Sequence, residues 1–400
     1  MRNIDTERQH FDQAFAIAFI DDARTFGGAQ IALGWAIRAI LRKTSWRIVC
    51  VCPTALRRAV EGIIGGNTRV EFVVCPSSLP VNIFTFPLRI ATFLKLLRLL
   101  RRTGVHAWWM NLSGVEFCLA PLVVLKLLGE KPCAWLHNPQ RFSLLDRWGS
   151  LNRRVFARIR DKIAEWFLFR LYSRIATPSL ASAELLRGRI GSAYAPAISY
   201  LYPTVSLDSG CGSASTVPEA ECPAEIRMWM IGRVEYCTKN NELALHLLKN
   251  ILADGGTASL TIVGDGSDMK SVKSSIRDFG IVDRVKLTGW ISDPWASITN
   301  DSIVLIPSFY ECMPLTAIEA MLRGIPLVAS PIPAFFEGVP RQMIADDFTP
   351  LAFAQRLRDV REMDRDKLAD LYSNCLAKFS ETSFVTVFAA QLDTTTASND

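Results

Sequence analysis

Residues 303–330 read IVLIPSFYECMPLTAIEAMLRGIPLVAS, and no other stretch constrains the fold as tightly. Ser302 to Pro307 is short, apolar and β-branched, the pattern of a strand buried on both faces. Pro314 suits a first helical position, and Leu315, Ile318, Met321 and Leu322 then recur at helical spacing. Gly324 closes that helix, and Ile325–Ala329 reads as the next buried strand. Strand, loop, helix and strand in this order form one unit of a parallel α/β sheet. Such sheets bind ligands at the carboxyl ends of their strands, which is where Glu311 falls.

The spacing has a chemical logic. Amides around Met313 to Thr316 at the helix start favour an anion such as a phosphate. Glu311 and Glu319 would repel that phosphate, but a carboxylate accepts hydrogen bonds from two neighbouring hydroxyls at once. A ligand with a diphosphate in its middle and a polyol at each end, a nucleotide sugar, fits the arrangement. The spacing alone is equally compatible with Glu319 as a solvated helix residue and Glu311 as a loop charge.

The segment resembles the E-x7-E region of the retaining, family 4-type glycosyltransferases (glycosyltransferases group 1). Leu260–Gly266 (LTIVGDG), Val285–Trp290 (VKLTGW) and Ile303–Ser308 follow that family's order, and Met230–Asn240 (MIGRVEYCTKN) resembles its Gly-Arg strand end and following lysine. The likeness is strong over residues 226–330 and weaker in the N-terminal half. It implies an α/β fold of the GT-B type, two Rossmann-like, doubly wound parallel-sheet domains facing a deep cleft.

Length and composition agree. Four hundred residues suffice for two domains with separate cores, and half of them are hydrophobic, which excludes a disordered chain. Apolar strand patterns at Phe15–Ile20, Trp46–Cys52, Val70–Val74, Ala107–Met110 and Cys133–His137 alternate with helical ones, predicting a doubly wound first domain over 1–205. Residues 206–225 (SLDSGCGSASTVPEAECPAE, 206–225) lack an apolar period and read as a linker. Alternation resumes over 226–378. In the resembled family the last helices return to the first domain, which implies that role for 379–392; the polar residues 393–400 read as a disordered tail.

The ten cysteines show no metal spacing, Cys50 and Cys52 read as core thiols, and a reducing cytosol is the simplest setting. The start, MRNIDTERQHFDQ, lacks the apolar run of a secretory signal, and no uncharged apolar run reaches the roughly 18 residues of a membrane span. The Asp pairs Asp21–Asp22 and Asp346–Asp347, and Asp265 with Asp268, have no further ligand cluster nearby, so no catalytic metal and no cofactor are expected. A dehydrogenase is disfavoured because no GxGxxG follows the first strand.

The resemblance assigns residues. It makes Arg233 and Lys239 the grip on the diphosphate, although their spacing is one residue longer than the family's through an insertion within Glu235–Thr238. Gly232 precedes the arginine. Gly264 and Gly266 resemble the base-binding wall, and Trp290 either stacks on a base or packs in the core. Gly27 and Gly28, in FGGAQ, resemble the family's GGAE loop near the diphosphate, with a simple strand-to-helix turn as the alternative. His137, at a strand end, matches a histidine that faces the reacting sugar and polarises or positions it. Cys312 stands where the family commonly has Gly; together with Met313, Pro314, Leu315 and Glu319 it completes the donor set around Glu311.

These residues imply a retaining, metal-independent glycosyltransferase using a UDP- or GDP-type nucleotide sugar. A non-catalytic GT-B binding subunit and a nucleotide-sugar epimerase of the same fold are the alternatives. The chain has 45 Lys plus Arg against 39 Asp plus Glu, much of the excess in Leu88–Arg102 and Arg147–Arg174. These basic amphipathic stretches fit either the surface of an anionic membrane or core helices with solvated outer faces. The family suggests a glycan or lipid-linked acceptor in bacterial cell-surface polysaccharide or glycolipid synthesis, with cytoplasmic location and peripheral contact with the inner membrane leaflet. No nucleic-acid motif appears.

Overall fold

The computed structural model describes residues 15–23, 26–75, 86–102, 104–114, 118–139, 169–191, 197–205, 225–291, 293–299 and 301–396. The expected linker therefore lies outside the described residues except for Glu225, as does most of Arg147–Arg174. The chain forms two compact units, residues 1–206 with 379–400 and residues 207–378.

The first unit is built on a seven-stranded sheet: β1 (Ala16–Ile20), β2 (Arg47–Cys52), β3 (Val70–Val74), β4 (Ala107–Leu112), β5 (Cys133–Leu136), β6 (Arg174–Thr177) and β7 (Ile198–Tyr200). The order is β3-β2-β1-β4-β5-β6-β7 and every pairing is parallel. Side chains alternate across the sheet. Ala18, Ile20, Trp108, Met110, Ala134 and Leu136 face one core, which also takes Phe93, Leu97 and Leu100 from the helix Phe86–Arg102. The apolar side of this basic helix is thus occupied by the core, and Lys95, Arg98, Leu99, Arg101 and Arg102 remain exposed.

On the opposite face, Phe19 and Trp109 meet Phe388 with ring centroids 5.9 and 4.8 Å away, and Trp135 meets Phe384 at 5.8 Å. Both phenylalanines belong to the helix Glu381–Thr396, so burial of large aromatics holds the end of the chain on this sheet. That helix includes Asp393–Thr396, where the polar sequence suggests a disordered tail. Propensity is a weak prior once the preceding turns are docked, and the backbone ladder carries on through the threonines. Residues 397–400 lie outside the described residues.

The second unit has a five-stranded parallel sheet: β8 (Glu225–Ile231), β9 (Thr257–Val263), β10 (Val285–Gly289), β11 (Ser302–Ile306) and β12 (Leu327–Ala329), in the order β10-β9-β8-β11-β12. β11 is buried along its whole length, as its unbroken apolar run requires. Each unit is a Rossmann-like doubly wound domain. Among the described residues no helix is long and apolar enough to cross a membrane.

Candidate active site

In the second unit the chain leaves β8 towards β9 and β10, then returns to β11 on the other side of β8. The loops after β8 and β11 diverge at this switch in strand order and open a crevice at the carboxyl ends of the strands. An open pocket lies there, lined by Gly232, Arg233, Lys239, Ser308, Glu311 and Pro314 among others.

Glu311 is held from two sides. Its Oε1 accepts from Lys239 Nζ at 2.5 Å and from Ser308 Oγ at 2.8 Å. The segment before Lys239 folds as a single helical turn, Tyr236–Lys239, closed by Asn240 in a left-handed conformation (φ 52°, ψ 46°). Asn240 Nδ2 donates to Pro307 O at 3.2 Å and Phe309 N donates to Thr238 O at 2.9 Å. These bonds tie the turn to the loop after β11 and deliver the lysine to the glutamate. Arg233 is 67% exposed and paired with Glu235, Nη1 to Oε1 3.0 Å.

Three glycines let strand-end loops cross. Gly232 and Gly264 have φ of +146° and +135°. A Cβ on Gly264 would lie 1.9 Å from Gly232 O, and one on Gly266 would lie 2.3 Å from Val234 O. The glycines of IVGDG are therefore required by close approach to the arginine loop itself. Val234 N donates to Asp265 O at 3.0 Å and Asp268 N to Val234 O at 3.2 Å, fixing the crossing.

The helix after Glu311 runs Leu315–Leu322, so Pro314 is its N-cap rather than its first helical residue; its ψ of 115° is still extended. No side chain caps this end. Buried Cys312 places Sγ 2.9 Å from Tyr310 Oη and does not have the positive φ that would demand glycine. Met313 is buried beside it. Glu319 is half-buried rather than a solvated helix residue: burial pushes its carboxyl up to about 7, against the opposing pull of Arg323 and a hydrogen bond with Trp295. The Arg323 guanidinium lies over the Trp295 ring, 4.7 Å from its centroid. Trp290 is 71% exposed, which removes the core alternative for it.

His137, Gly27 and Gly28 belong to the first unit, where strand alternation builds a second polar cluster. The face carrying Phe19, Trp109 and Trp135 continues, one step of two residues further along each strand, into Asp21, Asn111 and His137. β1 and β4 are neighbours although they are not consecutive in the chain, so this cluster also spans a switch in strand order. Asn111 Nδ2 donates to Asp21 Oδ2 at 2.7 Å and to Ala29 O at 3.2 Å, while His137 Nε2 lies 2.8 Å from Asn111 Oδ1. With both amide hydrogens committed to acceptors, Asn111 Oδ1 must accept, so His137 carries its proton on Nε2 and presents Nδ1 as a lone pair. Burial pushes the imidazole down to about 3, which keeps it neutral.

Gln30 Nε2 donates to Asp21 Oδ2 and to Ser113 Oγ, each at 3.0 Å. Asp21 is buried and its carboxyl is pushed up to about 6, chiefly by desolvation. A carboxylate at position 30 would face a buried carboxylate, whereas the Gln30 amide donates to it. Gln30→Glu is expected to destabilise the first unit by roughly 2 kcal/mol, through a lost donor and like-charge contact, in denaturant titrations followed by tryptophan fluorescence.

Sequence reasoning missed Asn111, Gln30, Ser308 and Glu235, and set Asp21 aside after weighing it as a metal ligand. The available signal for the first-unit cluster was three neighbouring strands whose apolar alternation ends on Asp, Asn and His. Among the described residues, no group of three or more His, Cys, Asp or Glu is arranged to hold a metal ion.

Residues 225–362 match the family model described as glycosyl transferases group 1. The lipopolysaccharide 1,6-galactosyltransferase of Salmonella typhimurium is 31% identical over 137 residues, 33% of this chain and 36% of that protein. The chain thus spans about a third of the length of the curated relatives it matches. The Anabaena protein HepE, solved with UDP and glucose, superposes with a TM-score of 0.68 at 17% identity, over 95% of this chain and all of that one. The lipopolysaccharide outer core galactosyltransferase WaaB in its apo form gives 0.63 at 21% identity, over 94% of this chain and 100% of the other. At these identities the superpositions speak for the fold alone, which is GT-B. Residues 225–362 are a domain of the group 1 glycosyl transferase family, carried on a chain with the GT-B fold.

Proposed function

We propose that this protein is a retaining glycosyltransferase that moves a sugar from a nucleotide-diphosphate donor to a glycan or lipid-linked acceptor. The observation that carries the reading is the pocket at the β8/β11 switch, where Arg233, Lys239 and Glu311 converge beside an uncapped helix start. Arg233, Lys239 and the amides of Leu315 and Thr316 take the charge that builds on the leaving diphosphate, in place of a divalent cation. Glu311 and Glu319 bind hydroxyls at the two ends of the donor. The bond from the anomeric carbon to the phosphate oxygen breaks, a bond to the acceptor oxygen forms on the same face, and the acceptor proton leaves on the diphosphate. In the first unit, neutral His137 offers Nδ1 as an acceptor suited to a hydroxyl.

HepE was solved with UDP and glucose, which favours a uridine diphosphate donor. The lipopolysaccharide galactosyltransferase relatives favour a cell-surface glycan as acceptor. A membrane-borne acceptor would bring the enzyme to the cytoplasmic face of the inner membrane, where Lys95, Arg98 and Arg102 on the exposed side of their helix meet anionic lipid. The test is a panel of UDP- and GDP-sugars scored by thermal stabilisation, since a ligand bound only to the folded state raises Tm by mass action. At least one donor is expected to raise Tm, and Arg233→Ala to reduce the rise. Failure of every nucleotide sugar overturns the reading. With an active donor, NMR of the product's anomeric proton decides between retention and inversion.

A further inference from the structure

Both cations on the pocket already have a carboxylate. Lys239 pairs with Glu311, which itself lines the pocket; Arg233 pairs with Glu235, which does not. Glu235 is firmly placed: its Oε2 accepts from Thr238 Oγ1 at 2.7 Å, its backbone N donates to Asn241 Oδ1 at 3.0 Å, and its carbonyl accepts from Lys239 N at 2.8 Å. Its side chain is only 20% exposed, whereas that of Arg233 is 67% exposed. One partner of this ion pair is therefore anchored while the other is a long, solvent-exposed arm on the pocket lining. Glu235 is thus fixed at the start of the same turn, Tyr236–Lys239, that carries the lysine to the pocket.

We infer that Glu235 is an affinity-setting residue, a built-in counter-ion that a ligand diphosphate must displace from Arg233. The inference rests on the reading of Arg233 as a diphosphate ligand. The four side chains Arg233, Lys239, Glu235 and Glu311 sum to zero formal charge, so an incoming diphosphate meets a neutralised site. When the phosphate takes the guanidinium, the exposed arm swings from one anion to another and the Glu235 carboxylate stays behind on Thr238. An exposed ion pair is weak, so the displacement is feasible, yet it subtracts from binding together with the repulsion between Glu235 and the phosphate. The arrangement favours release of a charged leaving group after transfer.

The test measures inorganic pyrophosphate and UDP by titration calorimetry against the full chain, Glu235→Gln, Arg233→Ala and the double variant. Glu235→Gln keeps the shape and the hydrogen bond to Thr238 and is expected to tighten both ligands about three- to tenfold. In the Arg233→Ala background the same change is expected to give no tightening, because the competition is for that guanidinium. Glu235→Ala, checked for an unchanged melting temperature, serves as the second variant and should shift affinity in the same direction. Unchanged or weaker binding on losing the carboxylate overturns the inference alone. Tightening that persists without Arg233 also overturns it, since the effect would then be a general field. If no variant binds either ligand, the diphosphate reading of the pocket falls with it.

Discussion

Lys239→Met is expected to lower turnover of the nucleotide sugar by about 10²- to 10³-fold, and Glu311→Gln by a similar factor. The two side chains meet at 2.5 Å, with side-chain exposures of 22% and 12%. Removing the lysine takes a charge from the leaving diphosphate and leaves a partly buried carboxylate with Ser308 as its remaining donor among the described residues. Removing the carboxylate frees the lysine but loses the acceptor for donor hydroxyls. Because each residue fixes the other, the double variant is expected to be no worse than the poorer single one. Steady-state kinetics of transfer, or of donor hydrolysis without acceptor, read this directly. Additive losses would refute the coupling of the two residues, and single losses below about tenfold would remove the pair from the chemistry.

The second large effect is on stability against pH. Asp21, raised by burial from its ordinary 3.8 to about 6, holds a proton in the folded unit where the unfolded chain has lost it. Its contribution is complete below pH 3.8 and lost as pH rises through about 6. His137, lowered by burial from 6.5 to about 3, stays neutral where the unfolded chain is protonated. Its contribution is present above pH 6.5 and lost as pH falls towards 3. Each slope is about 1.4 kcal/mol per pH unit, and between about pH 4 and 6 they have opposite sign and cancel. Asp21→Asn is therefore expected to lose roughly 2–3 kcal/mol relative to the parent as pH falls from about 6 to 4. His137→Gln is expected to gain a similar amount over the same range. Denaturant titrations at several pH values measure both, and slopes of the same sign in the two variants would refute the account.

The parallel α/β architecture was legible because its strands carry the pattern of double-sided burial. β11 and the helix Leu315–Leu322 follow directly from the apolar run and the 3.6-residue period around Glu311. β6 and β7 were not legible: Arg174–Thr177 and Ile198–Tyr200 are short and carry polar residues, so no period forms, and pairing with a neighbour makes them strands. Trp290 gives no local sign of its exposure, since a tryptophan after an apolar strand has the same sequence signature inside or outside a core.

The chain by itself determined where the apolar runs give way to polar or turn residues, at Asp21, Asn111, His137, Gly232 and Pro307; β4 continues through Asn111 to Leu112, and ligand chemistry gathers near such ends. Only the tertiary structure decided which ends meet. In both sheets the decisive neighbours, β1 with β4 and β8 with β11, are separated in the chain by other strands. The bonds of Asn111 to Asp21 and of Lys239 to Glu311 span 90 and 72 residues, and strand order, not local spacing, brings their partners within reach.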